Sequence, residues 1–222
     1  VRKRPGTFAL AAAVKYKYNI TVVPHVLCGG FTKEETENVL IEMNFLGIDD
    51  VLALRGDPPR GSRSFIPEKD GHSYTSELVG QIDDMNNGKY LDDSLQDTAP
   101  TSFCIGVAGY PEKHFEAPNR QVDLENLKIK VDAGASYIVT QMFFDNRKFF
   151  RFRDECRSVG IDVPIIAGIK PISALNDINL LPQTFHIDMP NDLVVALRKC
   201  TNDNEAREVG IEWAVQQSKE LI

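Results

Sequence analysis

The sequence predicts an α/β fold of the (β/α)8 TIM-barrel type, incomplete at both ends, and three observations carry that expectation. First, apolar runs of strand length alternate with amphipathic helical stretches, the pattern of a parallel sheet covered by helices. Second, polar residues stand at or near the carboxyl ends of those strands: His25, Arg55 to Asp57, Tyr110, Gln141, Asp145 and Lys170. A barrel builds its active site there. Third, no strand is followed by G-x-G-x-x-G or a P-loop, which weighs against an open nucleotide-binding sheet. About five strands are countable, where a closed barrel needs eight and about 250 residues.

A helix is expected over about Thr7 to Tyr18, then a strand over Thr21 to Cys28 that stops at Gly29-Gly30. Thr32 and Glu35 form a capping box. Val39, Met43 and Leu46 then share a helical face, and Gly47 closes the helix. A strand over Asp50 to Arg55 follows, then a long loop from Pro58 to Gly71, stiffened by Pro58 and Pro59. The next helix runs from Tyr74 to about Asn86 and breaks at Asn87-Gly88. Residues 87–101 read as a polar surface insertion in a single partial barrel domain spanning 1–222.

In the second half, Ser102 to Gly109 is a strand, and Asp123 opens a helix carrying Leu124, Leu127 and Val131, stopped by Gly134. Tyr137 to Phe144 reads as one buried strand. A helix with Phe149, Phe152, Cys156 and Val159 on one side ends at Gly160, and Val163 to Ile169 is a further strand. Helices over about Asn191 to Lys199 and Asp203 to Leu221 finish the chain, with Trp213 on an apolar face.

With 222 residues the chain can bury a full core, and 42% hydrophobic with 26% charged residues is ordinary for a globular domain. A net charge of -7 argues against general nucleic-acid or anionic-membrane binding. No apolar run approaches the roughly 20 residues that span a bilayer. The four cysteines are scattered without a C-x-x-C pair, as in a reducing compartment, so a cytoplasmic location is expected. The chain starts at Val1 without methionine and reads as a piece of a longer protein.

The four histidines show no i, i+4 pairing, and no metal site is expected. Gln141 interrupts an apolar run, and its amide is either a satisfied core group or one that bonds a flat heterocycle through donor and acceptor. Asp57, before Pro58, suits a general base, a charge favouring a cationic intermediate, or a helix cap. Lys170 is placed like a Schiff-base nucleophile of a barrel aldolase or lyase, or is a solvated rim charge. The loop from Gly109 to Pro118 carries an aromatic and a histidine, and Asp123, Asn126 and Lys130 follow on one helical face. Such groups suit a ribose and a diphosphate, or form a solvated face.

Six segments, in order, carry a resemblance. They are Pro24-His-Val-Leu-Cys28, Leu52-Ala-Leu-Arg-Gly-Asp57, Val107-Ala-Gly-Tyr-Pro-Glu-Lys-His114, Leu127-Lys-Ile-Lys-Val-Asp-Ala-Gly-Ala135, Thr140-Gln-Met-Phe-Phe-Asp145 and Pro164-Ile-Ile-Ala-Gly-Ile-Lys-Pro-Ile172. Together they resemble the methylenetetrahydrofolate reductase family of flavin barrel enzymes. The resemblance implies non-covalent FAD, with His25, Arg55, Gly56, Asp57, Tyr74, Thr75, Tyr110, His114, Asp123, Asn126 and Lys130 lining its site. It implies catalytic and substrate-binding roles for Asp57, near the isoalloxazine, and for Gln141, against pterin or nicotinamide. It also implies ping-pong hydride transfer from NAD(P)H through FAD to 5,10-methylenetetrahydrofolate, giving 5-methyltetrahydrofolate. Ile129 stands where family members can carry arginine, and Thr75 where alanine is common.

The family's first strand carries a glutamate that serves as acid for the folate nitrogen, and no such strand is found in this sequence. The second and last strands are also expected to be missing, so the chain resembles the middle of the enzyme and is expected to be poorly active alone. The open strand edges of an unclosed barrel invite self-association, which keeps a homo-oligomer among the outcomes. A Schiff-base enzyme using Lys170 and a non-catalytic flavin- or folate-binding fragment are the competing readings.

Overall fold

The computed structural model describes residues 5–58 and 64–222; the N-terminal Val1 to Arg4 and Pro59 of the expected loop lie outside them. In chain order the elements are α1 (Thr7–Tyr18), β1 (His25–Leu27), α2 (Lys33–Phe45), β2 (Asp50–Leu54), α3 (Thr75–Asn86), β3 (Cys104–Gly109), α4 (Arg120–Asp132), β4 (Tyr137–Thr140), α5 (Asn146–Ser158), β5 (Ile165–Ile166), α6 (Asp177–Phe185), α7 (Asn191–Arg198) and α8 (Asp203–Leu221). The five strands form one sheet whose order follows the chain, β1-β2-β3-β4-β5, with no reversal. Pairing is parallel between β1 and β2, and between β2 and β3. By contacts the chain forms two compact units, one of residues up to Ala108 plus Ile129–Ile138, the other of Gly109–Lys128 plus Val139–Ile222.

In the first unit, register decides which residues sit side by side in the sheet. Val26 pairs with Ala53, and Val51 and Ala53 pair with Ile105 and Val107; all five are buried. The alternate positions are mixed: His25 is exposed, Leu27, Leu54 and Cys104 are half-buried, and Leu52 and Gly106 at mid-strand are buried. Burial in β2 and β3 is therefore continuous through mid-strand and relaxes at the ends, as in a parallel sheet covered on both faces. Leu40 and Met43 of α2 and Leu78, Val79, Ile82 and Met85 of α3 are fully or almost fully buried. On the face opposite Val51, Ala53 and Val107, Gly106 makes room for the ring of Tyr137, whose hydroxyl donates to the Val51 carbonyl at 2.9 Å. Burial pushes that phenol up to about 12.

The helix starts follow from capping. Thr32 Oγ1 accepts from Glu35 N, and Glu35 Oε2 accepts from Thr32 N, the expected capping box. The buried line of α2 runs through Thr36, Leu40 and Met43, while Val39 and Leu46 are only half-buried; the expected face is displaced by one residue. Gly47, at φ 62, ends it. Helix α4 starts three residues earlier than expected, because the Asn119 side chain accepts from Val122 N ahead of Asp123.

In the second unit, α8 sets where β4 ends. The expected strand through Phe144 stops at Thr140. Gln217 Nε2 donates to the Phe143 carbonyl at 2.8 Å and Trp213 Nε1 to the Phe144 carbonyl at 3.1 Å, so side chains take the place of a ladder. Strand β5 is likewise two residues rather than seven, since the Gly168 amide donates to Thr140 Oγ1. Strand β1 is three residues rather than eight; its ladder begins at the carbonyl of Pro24, which has no N–H of its own. Helix α6 escaped the sequence reading because Pro182 lies inside it. Asp177 secures its start by accepting from Ser173 N and Ala174 N. A core of Phe144, Ile172, Leu181, Ile187, Leu193, Leu197 and Ala206 holds this unit, and Gly210 lets α8 approach the Ile172 backbone.

Candidate functional site

The polar groups fall into one set in each unit. In the first, the ladder runs past β1, with Gly29 N donating to the Arg55 carbonyl at 3.1 Å. Gly56 then takes φ 91, a conformation that disfavours any side chain. That turn leaves Asp57 exposed one residue later. The Arg55 guanidinium lies 5.2 Å from the centre of the Phe65 ring, and the absence of a side chain on Gly29 admits that ring. Tyr74 precedes α3, and Glu77 Oε2 accepts from Ser73 N at 2.7 Å and from Tyr74 N at 3.4 Å. The Tyr74 ring is 62% exposed, enough for a flat ligand to lie on it, and Thr75 is half-buried. Lys130 Nζ donates to the Ala108 carbonyl at 2.6 Å, which fixes the ammonium just short of the end of β3.

His25 is the first residue of β1 and is exposed, in register with Leu52. It thus stands two residues before its strand's end.

In the second unit, Tyr110 follows β3 directly and meets His114 edge to face, with ring centroids 4.6 Å apart. His114 N donates to Asp123 Oδ2 at 3.0 Å, so the loop residue and the first turn of α4 are joined. Lys113, at φ 120, donates from Nζ to the carbonyls of His114 and Ala117. Asn126 is exposed one turn beyond Asp123. Gln141 is the first residue after β4, its amide donating to the Gly109 carbonyl at 2.8 Å. Its Oε1 accepts from Met142 N at 3.0 Å, leaving the side-chain NH2 as the end available to a ligand. Gln141 is half-buried and shares a shallow depression with Tyr110, Glu112, Met142, Phe185 and His186.

The sequence reading missed what builds that depression. Glu112 accepts from Lys148 Nζ at 2.9 Å and from Asp188 N at 2.8 Å, and Lys148 also pairs with Asp188. Burial raises the Glu112 pKa, against the pull of Lys148. The clamp holds the loop after α6, where His186 stacks on Phe115 at 4.7 Å. Glu112 lies in the quoted Tyr-Pro-Glu-Lys-His motif, but its partners are 36 and 76 residues away.

Asp145 is no rim group. It caps α5 by accepting from Arg147 N and pairs with the Arg147 guanidinium, which lowers its pKa. Lys170 is half-buried and lies four residues beyond β5. All four cysteines are free; burial pushes Cys28 and Cys156 up to about 12, which makes them inert hydrophobes. Among the described residues no helix is long and apolar enough to cross a membrane.

Residues 2–222 match the family model described as methylenetetrahydrofolate reductase. The chain is similar to 5,10-methylenetetrahydrofolate reductase of Salmonella typhimurium, 35% identical over 220 residues, covering 99% of this chain and 67% of that protein. It is 34% identical to methylenetetrahydrofolate reductase 2 of Saccharomyces cerevisiae over 96% of this chain, but spans only 34% of that relative's length. Among solved structures it resembles an uncharacterized Clostridium thermocellum protein that binds two copies of 5-methyl-5,6,7,8-tetrahydrofolic acid. That likeness has TM-score 0.57 and 14% identity, covering 94% of this chain and 64% of that one, and shows the fold alone.

Proposed function

The chain belongs to the methylenetetrahydrofolate reductase family, and from that membership we propose that its parent protein reduces 5,10-methylenetetrahydrofolate to 5-methyltetrahydrofolate with NAD(P)H, using FAD. The observation that carries the reading is the pair of strand-end sets. Exposed Asp57 stands behind a left-handed Gly56, and Tyr110, His114 and Asp123 form a bonded aromatic and acidic cluster. We also read the sheet as part of a (β/α)8 barrel, because strand order follows chain order without the reversal of a doubly wound sheet.

The residues suit a flavin nucleotide. Gly56 lets a ring approach the backbone, and the exposed Tyr74 ring offers a face. On the first two turns of α4 the Asp123 carboxylate offers an acceptor to ribose hydroxyls and the Asn126 amide a donor to a diphosphate. FAD, when bound, supplies the two-electron carrier that NAD(P)H and the folate use in turn. The chain's own groups do the rest. The Asp57 carboxylate stabilises positive charge developing on the folate as its iminium forms. Gln141, with Oε1 held by Met142 N, donates from its NH2 to a pterin or nicotinamide carbonyl and so orients whichever ring is present. Lys130, anchored at the Ala108 carbonyl, lends positive charge toward a diphosphate.

The test is reconstitution of the full-length protein with FAD. Anaerobic NAD(P)H should bleach the bound flavin, and 5,10-methylenetetrahydrofolate should restore its colour. A folded protein that takes up no FAD would end this reading.

A further inference from the structure

His72, in the segment before α3, and Gln81, within α3, form a buried polar pair that the proposed chemistry does not use. His72 is 2% and Gln81 8% exposed, and their side chains meet, His72 Nε2 to Gln81 Oε1, at 2.5 Å. Gln81 Nε2 donates to the Lys33 carbonyl at 2.9 Å. That bond fixes which end of the amide faces the histidine: Oε1 must accept, so His72 is the Nε2–H tautomer. Nδ1 then carries a buried lone pair with no partner among the described residues.

The pair ties three pieces of chain together. Gly71 bridges Thr32, Lys33 N donates to the Asp70 carbonyl at 3.1 Å, and His72 reaches Gln81 on α3. Asp70 turns the chain there at φ 63, a left-handed conformation that aspartate tolerates. The segment so fastened carries Phe65, under the Arg55 guanidinium, and runs into Tyr74 and Thr75.

We propose that the His72–Gln81 pair is an acid-sensitive latch that holds rim residues 64–75 against the start of α2, and that protonation of His72 releases them. A proton on Nδ1 would sit in a buried site with no acceptor among the described residues, so the charged ring is driven outward. The charged groups facing His72 are Lys33 of α2, which opposes protonation, and Glu77 of α3, which favours it. Burial is the largest influence and sets the His72 pKa below its ordinary value of 6.5. The latch is therefore complete above that value and weakens as pH falls through and below it. His72 is a positioning residue, and its bearing on flavin affinity rests on the function proposed above.

Amide hydrogen exchange on the full-length protein tests this at about pH 7.5 and about pH 5.5, either side of the ordinary histidine value. After correction for intrinsic rates, amides in residues 64–75 should exchange several-fold faster in acid, up to the limit of about tenfold per pH unit for one proton. Those of Val51 to Ala53 should not change. His72→Gln keeps a donor for Gln81 Oε1 without a titrating ring, and should remove the acid response. FAD affinity should weaken over the same range in the wild type and not in H72Q. An equal response in H72Q, or one spread evenly over β2, overturns the latch. Should H72Q fail to fold, the ring signals of wild-type His72 decide: titration at the ordinary value with no change in residues 64–75 also overturns it. Exchange needs no flavin, so a protein that opens in acid but binds no FAD keeps the latch and loses the flavin reading.

Discussion

After β3, Tyr110 to Asp123 are bound to one another: His114 N to Asp123, the Tyr110 ring to His114, Lys113 to two carbonyls, and the Arg120 guanidinium to the Pro111 carbonyl at 2.7 Å. Just after β2, Gly56 turns at φ 91 and Asp57 faces solvent. One loop is built before any ligand arrives, while the other presents a charge. The difference teaches which kind of loss to expect from each: affinity from the knit loop, chemistry from the exposed carboxylate.

Asp57→Asn should have the largest effect, slowing the folate half-reaction by about 10- to 100-fold, or ~1.4–2.7 kcal/mol of transition-state stabilisation. Flavin reduction by NAD(P)H should change little. Stopped-flow measurement of the two half-reactions checks this, and equal losses would erase the contrast between the loops. Asp123→Ala removes the acceptor for His114 N–H, which costs about 1–2 kcal/mol. FAD should bind about 5- to 30-fold more weakly, while both half-reactions recover at saturating FAD; calorimetric titration measures it. A fall in one half-reaction that FAD cannot rescue would move Asp123 into the chemistry.

Gly56→Ala tests whether the second loop is merely open. The added Cβ meets only Leu27 Cδ1 at 3.9 Å, so the cost is conformational, about 1–2 kcal/mol. A melting temperature a few degrees lower is expected. Asp145→Ala should have the smallest effect, about 1 kcal/mol of stability from a lost helix cap, with kinetics intact. Because its pKa is lowered in the folded chain, the Asp145 contribution is present above the ordinary carboxylate range and disappears as pH falls through it. A kinetic defect in that variant would restore Asp145 to the rim.

Much of this was legible in the sequence wherever the cause was local. The capping box at Thr32 and Glu35, the breaks at Gly47, Gly88 and Gly160, and the span of α8 each depend on residues within a turn or two, and each is found. Strand ends were not legible, because they depend on distant partners. The apolar run from Tyr137 to Phe144 looks uniform, but α8 side chains take the carbonyls of Phe143 and Phe144. Asp145 is an exception among local causes: its partner Arg147 is two residues away, but its place after an apolar run gave it the look of a rim acid, and the bonds to the Arg147 amide and guanidinium make it a cap.

By itself, then, the sequence determined the alternation of strands and helices, the strand-end polar motifs and, through six ordered segments, the family, because periodicity and short motifs are written in adjacent residues. The tertiary structure decided what each polar group does. It turned Glu112 into a clamp on Lys148 and the Asp188 amide, directed one end of the Gln141 amide to Met142, and buried His72 against Gln81, its side-chain partner among the described residues. The hydrogen-bonding capacity of a side chain belongs to the residue, but which groups meet it is decided by how the chain folds, from one residue away at Gln141 to 76 away at Glu112, and burial fixes the cost of leaving it unmet.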